Sequence, residues 1–286
     1  MSEVEQGAAG GGRGLRVGTL VFAGVALTLL FMVLRFPYDR LADRIAMAVE
    51  AGSGARVQLG EVSLGLVRWA PGLTAETMRV QMPSGTRIDF DRVGVRPALA
   101  LSWLRLDPAL ATEVEGALGS ARGVITLGDA GGFRGRLESV SLGDLPAEWK
   151  SGPLVIEGLA DADIDLVRGG AGSEGVVLFE AREGLLQHPE LPLVVPYDTI
   201  EGEIALGGER MAAIQRFELM SPLARGRITG TVGNAASFAQ APLDLDIELT
   251  VSDAIRGSLN AQGVQVGQDG KIRMSVLGTP AKPIVR

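Results

Sequence analysis

LDLDIELTV, Leu243–Val251, alternates apolar and polar side chains without interruption. Leu243, Leu245, Ile247, Leu249 and Val251 share one parity, and Asp244, Asp246, Glu248 and Thr250 take the other. Side chains on a strand point alternately to opposite faces, so this stretch reads as a strand with one buried and one solvated face. The same rhythm recurs on both sides of it. Ala160, Ala162, Ile164 and Leu166 alternate with Asp161, Asp163 and Asp165, and Ile200, Gly202, Ile204 and Leu206 alternate with Glu201 and Glu203. Val57 and Leu59, then Val62, Leu64 and Leu66, then Met78, Val80 and Met82 continue it towards the N-terminus; Ile272, Met274 and Val276 close it. Ile88 and Phe90 share one parity whereas Val93 and Val95 take the other, which predicts a bulge within that run. Antiparallel sheets expose one face in this way, and parallel sheets bury both. No βαβ rhythm is present. The expected fold is therefore mainly β: a large antiparallel, curved sheet or sandwich.

Glycine supplies 40 of 286 residues, about twice its usual share, which fits many turns and short strands. Gly-rich turns are expected at Gly128–Gly132, Gly169–Gly175 and Gly207–Gly208. None is long enough to be a linker, so residues 36–286 are read as one domain. Helical patterning after residue 51 is limited to Pro97–Leu104 and Leu145–Trp149, each worth one or two turns.

Upstream the pattern changes. Val17–Leu34 (VGTLVFAGVALTLLFMVL) contains no charged residue and lies between Arg16 and Arg35. As a helix it is about 27 Å long, close to the hydrocarbon thickness of a bilayer. A signal peptide would have a shorter apolar stretch and a small-residue cleavage site directly after it. Arg35-Phe36-Pro37-Tyr38 follows instead, so an uncleaved anchor is expected over residues 17–35. The short Gly-rich tail, residues 1–16, is placed in the cytoplasm and the bulk of the chain across the membrane, since long domains translocate largely regardless of charge. Leu41, Ile45 and Val49 recur at helical spacing after Pro37, predicting a short amphipathic helix over Tyr38–Ala51.

Composition restricts the chemistry. The net charge of −7 argues against a nucleic-acid partner, which requires a basic face. Cysteine is absent, which removes thiol catalysis, disulfides and Cys-based metal sites. His188, the only histidine, sits in the Pro-rich stretch Gln187–Pro192 and reads as a solvent-exposed loop residue rather than part of a Ser-His-Asp relay. Asp161, Asp163 and Asp165 would lie about 6.6 Å apart along one strand face. Calcium ligands cluster on tightly curved loops, so these acids are read as a solvated face, as are Asp244, Asp246 and Glu248. No phosphate-binding loop, dinucleotide fingerprint or HExxH element occurs. No catalytic, cofactor or metal residue is therefore assigned. Trp69, Trp103 and Trp149 are read as core side chains first and interface anchors second. The apolar strand faces require a cover: closure of the sheet, a second sheet, or a ligand such as an acyl chain.

Several segments together suggest a family. FPYDRLADRIAMAVEAGSGARVQLGEVSLGL (Phe36–Leu66), WAPGLTAETMRV (Trp69–Val80) and VGVRPALALSWLRL (Val93–Leu106) resemble the amino-terminal portion of the type II secretion system protein N family. That family is itself similar at its start to AsmA/TamB-like envelope proteins. VSLGDLPAEW (Val140–Trp149), PLVIEGLADADIDL (Pro153–Leu166), LMSPLARGRITGTV (Leu219–Val232), PLDLDIEL (Pro242–Leu249) and VLGTPAKPIV (Val276–Val285) follow in order. The resemblance implies a single-pass protein of the bacterial inner membrane with a periplasmic domain. It further implies a non-catalytic accessory of type II secretion, partnered by inner-membrane or outer-membrane channel components. AsmA-like similarity implies the alternative: an open apolar groove that binds or transfers lipid. An envelope enzyme, the third class, would require a convergent polar pocket.

Overall fold

Alternation of the kind seen at Leu243–Val251 organises the chain from Arg56 to its last residues. The computed structural model describes Asp43, Ala46, Met47 and Glu50, and residues 55–286 apart from 83–84, 99–108, 127–130, 147–154, 170–171, 188–193, 208–209, 236–239, 262–265 and 280–281. The chain divides into two compact units, Met1–Ile45 and Ala46–Arg286. The apolar segment Val17–Leu34 lies outside the described residues, and among those described no helix is long and apolar enough to cross a membrane. Asp43, Ala46, Met47 and Glu50 are helical, in keeping with the helix expected over Tyr38–Ala51.

Sixteen strands form one antiparallel sheet. The first five are β1 (Arg56–Leu59), β2 (Val62–Val67), β3 (Ala70–Ala75), β4 (Met78–Gln81) and β5 (Arg87–Pro97). Then follow β6 (Ala109–Gly116), β7 (Gly119–Thr126), β8 (Gly132–Ser141), β9 (Val155–Gly169), β10 (Gly172–Gln187) and β11 (Val194–Leu206). The series ends with β12 (Arg210–Met220), β13 (Ala224–Gly233), β14 (Leu243–Val251), β15 (Lys271–Thr279) and β16 (Lys282–Val285). From β5 onwards each strand pairs with the next in sequence. The start is folded differently: β1 pairs with β4, and the β2–β3 hairpin lies between them in sequence. One half of β5 pairs with β4 through Met78 and Phe90, and the other with β3 through Leu73 and Val95. The register of β5 against β6 shifts between Phe90 and Arg92, where the parity of the sequence changes. One helix, α1 (Asp253–Ala261), is inserted between β14 and β15.

All sixteen strands belong to this one open, curved sheet, so the domain is not a two-sheet sandwich. Substantial packing is confined to hydrogen-bonded neighbours, apart from a light contact of β2 with β5. Burial is accordingly sparse and dispersed. Ala181, Tyr197 and Ile200 form one small buried cluster, with Phe179, Phe217 and Leu219 packed against it; Ala212, Val232 and Ala241 form another.

Two expectations need correction. Trp69 is not a core residue: it is 96% exposed at the tip of the β2–β3 hairpin. Trp103 and Trp149 lie outside the described residues. Helix α1 has no counterpart among the helical segments expected after residue 51. Ser252 stands where a capping side chain would be sought, but its hydroxyl is buried without a hydrogen-bond partner.

Candidate functional site

Directly paired residues on neighbouring strands share a face, so the register converts the sequence into rows. One row is free of charge across fourteen strands. It starts at Leu64 on β2 and passes through Leu73, Val95, Thr112, Gly123 and Gly135 to Ile164 on β9. It continues through Val177, Ile204, Ile214, Gly230, Leu245 and Val276 to Val285 on β16. A parallel row carries Leu137, Ala162, Phe179, Gly202, Phe217, Ile228, Ile247 and Met274. Most members are half-buried rather than buried, and Leu64 and Val285 at the two ends are exposed.

Three glycines in these rows, Gly123, Gly135 and Gly202, are covered by phenyl rings. A Cβ at Gly123 or Gly135 would stand 2.7 or 2.6 Å from the ring of Phe133. A Cβ at Gly202 would collide with the ring of Phe179. Phe179 also packs on Phe217, with ring centroids 5.9 Å apart at 58°. Aromatic cover of strand glycines replaces part of the apolar area that a second layer would supply.

The opposite face is a ladder of ions. Asp161, Glu180, Glu201, Glu218, Arg227, Glu248 and Arg273 form one row. Arg134 reaches Asp165 at 2.7 Å and Arg136 reaches Asp163 at 2.6 Å, while Arg182 pairs with Asp161. Further along, Arg216 and Arg227 share Glu218 at 2.8 and 2.7 Å, and Lys271 and Arg273 share Glu248 at 2.6 and 3.2 Å. The Arg136 guanidinium holds the Asp163 carboxyl below its ordinary value. The Ser139 amide, followed by Arg182, does the same for Asp161. Asp161, Asp163 and Asp165 thus each face an arginine, as expected of a solvated strand face, and Asp246 accepts from the Ser275 hydroxyl at 2.9 Å. Among the described residues no three carboxylate or imidazole side chains are grouped as metal ligands. His188 lies outside the described residues.

Among the described residues, open depressions mark this charged face. A depression of about 610 Å³ is lined by Arg136, Asp161, Asp163, Arg182, Glu201 and Arg216, among others. A second, of about 450 Å³, lies over Arg227, Glu248, Arg273 and Arg286. The third, of about 260 Å³, is lined by Arg68, Arg96, Glu113, Arg122 and Arg136. Sequence reading did not single out the arginines of the third, because they come from β5, β7, β8 and a turn, and only the register brings them together. Comparison with protein-family models, with curated proteins and with solved structures gave no match.

Proposed function

We propose that this chain is a non-catalytic binding component of the bacterial cell envelope, tethered to the inner membrane by Val17–Leu34 with its sheet domain in the periplasm. We place it as an accessory of type II protein secretion, acting through protein–protein contacts with the inner-membrane or outer-membrane channel components. The order of segments from Phe36–Leu66 to Val276–Val285 supports that assignment. The observation that carries the non-catalytic reading is the division of the sheet into a largely self-paired ionic face and an opposite face crossed by an uncharged row spanning fourteen strands. Catalysis needs polar groups converging on a reacting atom, whereas here they pair with one another along flat rows. The test is deletion of the gene, followed by measurement of hydrolases in the culture medium. Loss of export, restored by the intact gene, is the expected result; unchanged export would sink the secretion assignment.

A second reading is favoured by the half-buried state of Val177, Ile204, Ile214, Leu245 and Val276. An apolar face left partly open is a surface on which acyl chains can lie. In this reading the protein carries lipid, in the manner of AsmA-like proteins. Native mass spectrometry of the full chain released from detergent tests it. Co-purifying lipid that is lost on Ile204→Lys substitution supports lipid carriage, and a lipid-free spectrum of the wild type rules it out.

A further inference from the structure

The depression beside the β2–β3 hairpin is unlike the rest of the charged face. Its lining holds Arg68, Arg96, Arg122 and Arg136 against one carboxylate, Glu113, in a chain of net charge −7. Three of these arginines have carboxylate partners: Arg68 with Glu113 at 3.7 Å, Arg122 with Glu138, and Arg136 with Asp163 at 2.6 Å. Arg96 has none among the described residues. It donates from Nη1 to the Pro97 carbonyl at a long 3.4 Å, and its Nε is buried with no acceptor. A half-buried guanidinium without a counter-charge is costly. It also presents a planar fork of N–H donors suited to a tetrahedral oxyanion.

We propose that this depression binds a phosphate-type anion, held by Arg96 and closed by Arg68. Next to Arg68, at the tip of the same hairpin, stands Trp69, 96% exposed. The anion can thus be a phospholipid headgroup, with the exposed Trp69 of the hairpin tip on its glycerol portion, or free inorganic phosphate. The inference does not depend on the secretion assignment.

The test uses the full chain in a neutral detergent. Sodium phosphate is titrated at constant ionic strength against chloride, and the thermal midpoint is followed, since a ligand of the native state raises it saturably. A saturable rise is expected, with affinity falling about tenfold or more in Arg96→Gln, because hydrogen bonds to charged groups are the strong ones. Arg96→Lys, which keeps the charge and loses the fork, is expected to fall between, and Arg68→Gln to weaken binding severalfold. These two variants decide the matter if Arg96→Gln does not fold. A second arm replaces phosphate with short-chain phosphatidylglycerol or phosphatidylcholine in a Trp103→Phe, Trp149→Phe background. Tighter binding of phosphatidylglycerol with a blue shift of Trp69 emission identifies the headgroup as ligand. Equal or weaker binding with no Trp69 response identifies free phosphate. No saturable rise with either anion, or a rise unchanged in every arginine variant that folds, would overturn the proposal.

Discussion

Gly202 lies buried beneath the ring of Phe179, and a methyl group there would have to displace the ring. Gly202→Ala is therefore expected to destabilise the domain by about 1–3 kcal/mol, the usual cost of forced repacking. Thermal unfolding of Gly202→Ala, Phe179→Leu and the double variant checks this. The double variant should lose less than the two singles combined, because the collision needs both partners. The ionic face yields a second residue-scale expectation. Asp163, Glu218, Glu248 and Asp89 are held below their ordinary values, chiefly by Arg136, Arg216, Lys271 and Arg87 respectively. A carboxyl depressed in the folded state stabilises it above the unfolded value, about 4, and this contribution is lost as pH falls through the folded value. The thermal midpoint should thus decline below about pH 4, less steeply in Asp163→Asn/Glu218→Gln and in 1 M NaCl, where exposed pairs are screened. Asp163 and Glu248 were legible as a solvated face because acids alternating with aliphatics have one economical explanation. Gly202 was legible only as a strand position. That it needs to be glycine follows from Phe179, twenty-three residues away in sequence and adjacent only once the register is set.

At the scale of elements, the β2–β3 hairpin holds two consecutive non-glycine residues at positive φ. Its two-residue turn places Arg68 at φ 47° and Trp69 at φ 69°. A turn of this hand suits the twist of a hairpin but favours Asn-Gly, since side chains disfavour positive φ. Replacing Arg68-Trp69 with Asn-Gly is expected to stabilise the domain by about 1 kcal/mol or more. For a domain of this size that is about 2–4 °C in thermal midpoint. A fall in the midpoint instead would show that the exposed indole and Arg68 contribute packing that outweighs the strain. The strands read from sequence were those with unbroken alternation, such as β9, β11 and β14. β6, β7, β8 and β13 were harder to read because Thr112, Gly123, Gly135 and Gly230 stand in the apolar row, and β12 because its register shifts between Ile214 and Phe217. Apolar cover is supplied in part by neighbours, Phe133 of β8 lying over Gly123 of β7. A period-two search along one strand cannot register a side chain contributed by the next.

For the whole molecule, the decisive fact is that nearly every substantial contact is between adjacent strands of one sheet. In such a quasi-one-dimensional assembly, stability is roughly a sum over strands and their nearest-neighbour interfaces, as in repeat proteins. A strand with two partners is held more firmly than an edge strand, and long strands more firmly than short ones. β9, β10 and β11, with 15, 16 and 13 residues, sit in the interior and enclose the Ala181, Tyr197 and Ile200 cluster. There the Tyr197 hydroxyl donates to the Glu157 carbonyl at 2.7 Å, tying β11 to β9 across the intervening strand. β1 and β16 have four residues each and one partner each, and all of β16 is exposed. Native-state amide exchange should therefore reveal a gradient, with β9–β11 slowest and protection falling towards β1 and β16. Tyr197→Phe, which leaves the Glu157 carbonyl without this donor, should lower protection in β9–β11 by about 1 kcal/mol and leave β14 and β15 nearly unchanged. Uniform protection across all strands would mean that the apolar face is covered by a further layer that makes the sheet unfold as one. An added acyl ligand or protein partner that converts the gradient into uniform protection would identify that cover directly, because only a bridge across many strands can couple them.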